Sequence, residues 1–125
     1  MVTTVNLFVY GTLLSEEIRY AVLQKHFSTC EAELSGFKRI IPAQGYPYII
    51  PHPHACVRGL LIRNLDALAV AQLDEYEEEG ILYYRRSVTV MVDVNSVPSE
   101  VYVGNVSALT QQFGLAIMAP GVKDS

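Results

Sequence analysis

Two stretches of this chain carry residue types suited to moving a proton and holding a polar reactant. The first is Leu73-Asp74-Glu75-Tyr76-Glu77-Glu78-Glu79-Gly80, in which five acids crowd together. A carboxylate that loses solvent or faces like charges shifts toward neutrality, and a group poised there can both take and return a proton. The second is Leu7-Phe8-Val9-Tyr10-Gly11-Thr12-Leu13, an apolar run stopped by glycine. Backbone N–H groups in such a turn can receive an anion or a carbonyl oxygen, and Gly11 has no side chain to keep that group away. The ordinary alternatives are a solvated acidic face and a plain β-turn.

The elements around these stretches decide how they are presented. Val5 to Tyr10 is β-branched and aromatic and reads as a strand delivered to the glycine turn. Ser15-Glu16-Glu17 supplies a hydroxyl cap and two acids for the positive end of a helix. Ile18, Val22 and Leu23 continue that helix to about His26. Asn64 offers the N-cap of a second helix, with Leu65, Leu68, Ala69, Leu73 and Tyr76 on one face and Gly80 at its end. The acids then stand at the negative end of the helix dipole, where helix stability does not favour them. Glu77 follows Leu73 by four positions and flanks the apolar face, Tyr76 lies near its centre, and Asp74 points the opposite way. Glu77 is therefore eligible to reach partly buried space.

The remaining chain is strand-rich. Thr29 to Ile41 reads as one or two strands around Gly36, and Gln44 to Tyr48 as a turn before Ile49-Ile50. Pro51-His52-Pro53-His54 is expected to be an exposed loop, because two of its residues lack an N–H. Cys56 to Arg63 is the next strand. Tyr84 to Val94 alternates, with Val88, Val90, Val92 and Val94 on one side. Asn95-Ser96 is the expected turn into a hairpin partner running from Val97 to Gly104, and Ser107 to Met118 a short last helix. Tyr20, Tyr46, Tyr48 and Tyr102 are assigned to packing, and Arg85 and Arg86 are divided between the acidic cluster and solvent. The reading is one α+β domain over residues 1–125.

Composition narrows the function classes. The 125 residues are half hydrophobic and carry a net charge of −4, which argues against disorder. Nine scattered Lys and Arg make no basic stripe for nucleic acid. No apolar stretch is long enough to span a bilayer, and Met1-Val2-Thr3-Thr4 lacks a signal-peptide pattern, so a cytoplasmic protein is expected. Cys30 and Cys56 are expected to be reduced core thiols. His52 and His54 form a His-x-His pair, but no third ligand follows from spacing, so no metal is assigned.

Taken together, Tyr10-Gly11-Thr12-Leu13, Gly45-Tyr46-Pro47, Val57-Arg58-Gly59, Leu73-Asp74-Glu75-Tyr76-Glu77 and Tyr84-Arg85-Arg86 resemble, in order and spacing, the gamma-glutamylcyclotransferase-like family, nearest its gamma-glutamylamine subgroup. The resemblance implies a compact mixed β-barrel with flanking helices and a cavity at one end. It implies that Tyr10, Gly11, Thr12 and Leu13 line that cavity, that Glu77 faces it as acid/base, and that Tyr84 approaches it. The implied reaction closes a gamma-glutamyl small molecule to 5-oxoproline with no cofactor. Leu14-Ser15-Glu16-Glu17 and the displaced Gly80 depart from the family pattern; they leave the leaving amine open, with Glu78 and Glu79 as outside candidates for the acid/base. The rival reading is a non-catalytic metabolite-binding protein on the same scaffold. Oligomeric state is not legible.

Overall fold

The computed structural model describes residues 3–43 and 45–113, the last four by backbone alone. Five strands close into a barrel: β1 (Val5–Val9), β2 (Thr29–Ile40), β3 (Tyr48–Leu65), β4 (Tyr83–Val92) and β5 (Asn95–Gly104). Their spatial order is β1-β3-β2-β4-β5. Neighbours are antiparallel except β1 and β5, which close the ring in parallel through Leu7↔Glu100 and Phe8↔Val101. A 3-10 turn (Thr12–Leu14) and three helices, α1 (Glu16–Leu23), α2 (Ala67–Glu77) and α3 (Val106–Phe113), make up the other elements among the described residues. Among the described residues no helix is long and apolar enough to cross a membrane.

The two-residue period of the strands builds two cores. On β1, Phe8 turns into the barrel with Leu61, Val90, Val101 and Val103, while Leu7 and Val9 turn out beneath the helices with Ile62, Leu73 and Tyr102. A strand buried on both faces reads as a continuous apolar run, which is why Leu7-Phe8-Val9 shows no alternation. Gly59 on β3 permits this closeness: a Cβ there would lie 2.1 Å from the Val9 carbonyl oxygen.

Several local expectations are corrected. Residues 51–54 are not a free loop but part of β3. The register jumps from Ser35↔Cys56 to Phe37↔Pro51, so this stretch bulges, and β1 pairs β3 only from Leu60 onward. With β2 on one side alone, the missing proline donors cost no ladder bond on the open side. The cap of α2 is Asp66, whose Oδ1 accepts from the Ala69 N–H at 2.9 Å. Asn64 is still in β3, because Leu65 is buried at that strand's end. The helix stops at Glu77, and its C-cap is Glu78, left-handed at φ 53°, rather than Gly80, which takes a positive φ of 88° two residues further on. Leu68 and Tyr76 are exposed. The buried row is Ala69–Leu73, rotated from the expected stripe because the barrel lies under it.

The β4–β5 turn is Asp93-Val94, since Val92 pairs with Asn95, and Val94 is exposed at its tip. Cys30 is half-buried and Cys56 exposed; both are free thiols, but Cys56 is not in the core. Tyr48 and Tyr102 are buried, whereas Tyr20 and Tyr46 are exposed. The last expected helix begins one residue early, at Val106, and residues 114–118 of that expectation lie outside the described residues.

Candidate active site

The end of β1 and the end of α2 meet at a cavity of about 140 Å³. Tyr10, Gly11, Thr12 and Leu13 form one wall, Tyr76, Glu77 and Glu78 the facing one, and Tyr83 and Tyr102 stand between them. A direct hydrogen bond joins the two walls: Thr12 Oγ1 and Tyr76 Oη are 2.7 Å apart. Each wall is positioned by the local sequence. Glu77 continues the Ala69–Leu73 row by one more four-residue step, so it is carried to the inner side at the point where the helix leaves the barrel. The Tyr10–Leu13 segment is fixed by its own carbonyls. Arg39 Nη1 donates to the Tyr10 oxygen at 2.7 Å, and Arg19 Nη1 to those of Leu13 and Leu14 at 3.0 and 2.9 Å. In a planar trans peptide the N–H points away from the C=O, so holding the Tyr10 oxygen fixes the Gly11 N–H on the other side. Gly11 caps the 3-10 turn with no side-chain acceptor, leaving the first N–H groups of the turn without a side-chain partner.

Electrostatics single out one acid of the five. Burial raises the Glu77 carboxyl from its ordinary value to about 7. It makes no hydrogen bond or ion pair among the described residues. Its surroundings are phenols. Tyr10 is raised well above the usual range, first by burial and then by the charges of Tyr83 and Glu77. Tyr83 is raised by burial and by Glu77. All stay neutral at ordinary pH, so they offer hydroxyl donors without adding charge. Two of these hydroxyls are engaged: Tyr10 donates to the Tyr102 carbonyl at 2.6 Å and Tyr83 to the Pro47 carbonyl at 3.1 Å. Glu78 and Glu79 are exposed.

Tyr10, Gly11, Thr12, Leu13 and Glu77 thus share one cavity, and Tyr84 does not join them. The pleat sends adjacent residues of β4 to opposite faces, and it is Tyr83 that turns to the cavity. Tyr84 is exposed, with Asn105 Nδ2 donating to its hydroxyl at 3.2 Å. Counting back by twos from the buried Val90 reaches Tyr84, so the alternation of this strand alone favours the wrong tyrosine; Tyr83 is buried on the opposite face, under the helices. Asp74 was also misplaced by the helical wheel. Its Oδ1 accepts from Tyr102 Oη at 2.7 Å and from Arg85 Nε at 3.0 Å, against β4 and β5 rather than away from them.

A half-buried carboxyl raised toward neutrality, set among phenols and a glycine turn at one end of a closed α+β barrel, has the chemistry to take and return a proton. The chain belongs to the family described as gamma-glutamyl cyclotransferase, AIG2-like, which matches residues 7–118. It is 34% identical over 88 residues to AIG2-like protein C of Arabidopsis thaliana, covering 70% of this chain and 50% of that protein. It is 31% identical over 96 residues to AIG2-like protein D of the same plant, covering 76% and 62%. The matched part of this chain therefore spans between half and two thirds of these relatives. A solution structure of an Arabidopsis thaliana protein superposes with a TM-score of 0.73 at 28% identity, covering 82% of this chain and 62% of that one. A solved gamma-glutamyl cyclotransferase superposes at 0.72 and 21% identity, covering 82% and 68%, a likeness of fold.

Proposed function

We propose that the protein is a gamma-glutamyl cyclotransferase that releases 5-oxoproline and a free amine, with Glu77 as its acid/base. The observation that carries this reading is the half-buried Glu77 carboxyl, raised to about 7, facing the Tyr10–Leu13 turn across a small cavity. In a gamma-glutamyl compound the α-amine and the γ-carbonyl belong to one molecule, so holding it folded removes much of the entropic barrier. Glu77 takes a proton from the α-ammonium, the freed amine attacks the γ-carbonyl carbon, and a tetrahedral oxyanion forms. Backbone N–H groups of Gly11, Thr12 and Leu13 stabilise the oxyanion or hold the substrate carboxylate. The C–N bond to the leaving amine then breaks as Glu77 returns its proton to that nitrogen, while the ring nitrogen, cationic after the attack, gives up its second proton to solvent and is left as the lactam N–H. The chemistry calls for neither metal nor organic cofactor.

Purified protein is to be incubated with gamma-glutamyl amines, amides and peptides while 5-oxoproline is measured. Release by wild type and a loss of roughly 10²- to 10⁴-fold in Glu77→Gln is the expected result. Full activity in a folded Glu77→Gln variant removes Glu77 from the role. Binding without any 5-oxoproline across the panel turns the protein into a metabolite-binding member of its family.

A further inference from the structure

The Glu77 carboxylate has no hydrogen-bonding partner of its own among the described residues, so the backbone that carries it sets its place. That backbone is held from one turn earlier. Asp74 Oδ1 and Oδ2 accept a fork from Arg85, Nε at 3.0 Å and Nη2 at 3.1 Å, and Oδ1 also accepts from Tyr102 Oη at 2.7 Å. Arg85 Nη1 donates in turn to Glu100 Oε1 at 2.6 Å. The side chains of Arg85, Asp74 and Glu100 are only 28, 27 and 25% exposed, so this network is sheltered from the water and salt that make surface pairs weak. The main chain of Asp74 contributes as well: its carbonyl accepts from the Glu79 N–H at 2.9 Å, closing the helix just past Glu77. Tyr102 joins both walls of the cavity, giving its hydroxyl to Asp74 and its carbonyl to the Tyr10 hydroxyl.

We propose that Asp74, gripped by Arg85 and Tyr102, is a positioning residue that clamps the last turn of α2 to β4 and β5 and so sets where Glu77 stands opposite the Tyr10–Leu13 turn. The proposal rests on the proton-transfer reading of Glu77 but concerns a residue that does not line the cavity. Its consequence for titration follows from every titratable group that lines the cavity with Glu77: Tyr10 just past β1, Tyr46 ahead of β3, Tyr83 on β4, Tyr102 on β5, and Tyr76 and Glu78 on its own side. Burial keeps Tyr10, Tyr83 and Tyr102 neutral, so Asp74→Asn acts by deleting one nearby negative charge, unpairing Arg85 and letting water reach the loosened turn. All three favour the ionised carboxylate and push Glu77 the same way, toward the ordinary carboxylate range.

The test is side-chain carbon NMR titration of Glu77 in wild type, Asp74→Asn and Tyr102→Phe, together with kcat, KM and thermal stability. Tyr102→Phe removes one hydroxyl while leaving the ring packed, which supplies a folded variant if Asp74→Asn is too weakened. The expected result is a Glu77 midpoint lowered from about 7, with kcat reduced roughly 10- to 100-fold and KM nearly constant, as misplacement of a reacting group requires. A clamp that serves stability alone lowers the melting temperature and leaves the midpoint and kcat at their wild-type values, which overturns the proposal. If the wild type releases no 5-oxoproline, the cyclotransferase reading fails, while the Glu77 midpoint still decides whether the clamp positions that carboxyl.

Discussion

A carboxyl raised to about 7 by burial leaves a signature in folding as well as in catalysis. The folded state holds the Glu77 proton more tightly than the unfolded chain, which has the ordinary value of 4.5. This contribution to stability is fully present below about 4.5 and is lost as pH rises to about 7, beyond which it changes no further. Glutamine resembles the protonated form at every pH. Glu77→Gln is therefore expected to be more stable than wild type by ~1–3 kcal/mol at pH 8, with the gap closing toward pH 4.5. Denaturant melts of the two proteins at several pH values measure this; a constant gap contradicts the raised carboxyl. For activity the sign is reversed, because the base must be ionised. The acid limb of kcat/KM is expected to rise through about 7 in wild type. At Gly11 a new Cβ would meet the Pro47 ring at 3.8 Å, an ordinary contact. Gly11→Ala is expected to fold with its melting temperature kept and to raise KM several-fold by narrowing the mouth of the cavity, as saturation kinetics on the substrate found above will show.

Among the elements, β3 and α2 do the placing. Gly59 lets β3 pass under Val9, and a methyl there has no room, since the obstacle is backbone oxygen rather than a movable side chain. Gly59→Ala is expected to cost about 3 kcal/mol or more, read as a collapse of the urea midpoint. Elements whose signals are local were legible in the sequence: Ser15 ahead of α1, the apolar run of β1, and the valine alternation of β4. The rest depended on partners distant in the chain. Pro51 and Pro53 argue against a central strand, and they sit in β3 because that stretch has one open side. Asn64 is as good a cap as Asp66 by residue type, and the end of strand burial at Leu65 decides between them. The wheel of α2 kept Glu77 eligible through its spacing from Leu73. It misjudged Tyr76 and Asp74 because the barrel presents Arg85 and Tyr102, which no helical period reveals.

At the scale of the molecule, the interior of the barrel and the layer under the helices share the strands between them. Leu61 points inward and Ile62 outward, and both are fully buried. Leu61→Ala is expected to cost ~2–5 kcal/mol by opening a void among Phe8, Val90 and Val101. Because neighbouring strand residues serve both cores, the loss should appear as one lowered transition by calorimetry rather than a separate early step.

Closure of the ring by β1 against β3 and β5 also orders events at the ribosome. The first strand of the barrel finds its parallel neighbour only when residues 100–101 have been made. Until then β3 and α2 are available to Leu7, Phe8 and Val9, but the edge of β1 that β5 will cover stays open. Building the cavity wall from the end of β1 thus leaves that wall beside an unpaired sheet edge until the last strand of the barrel is in place.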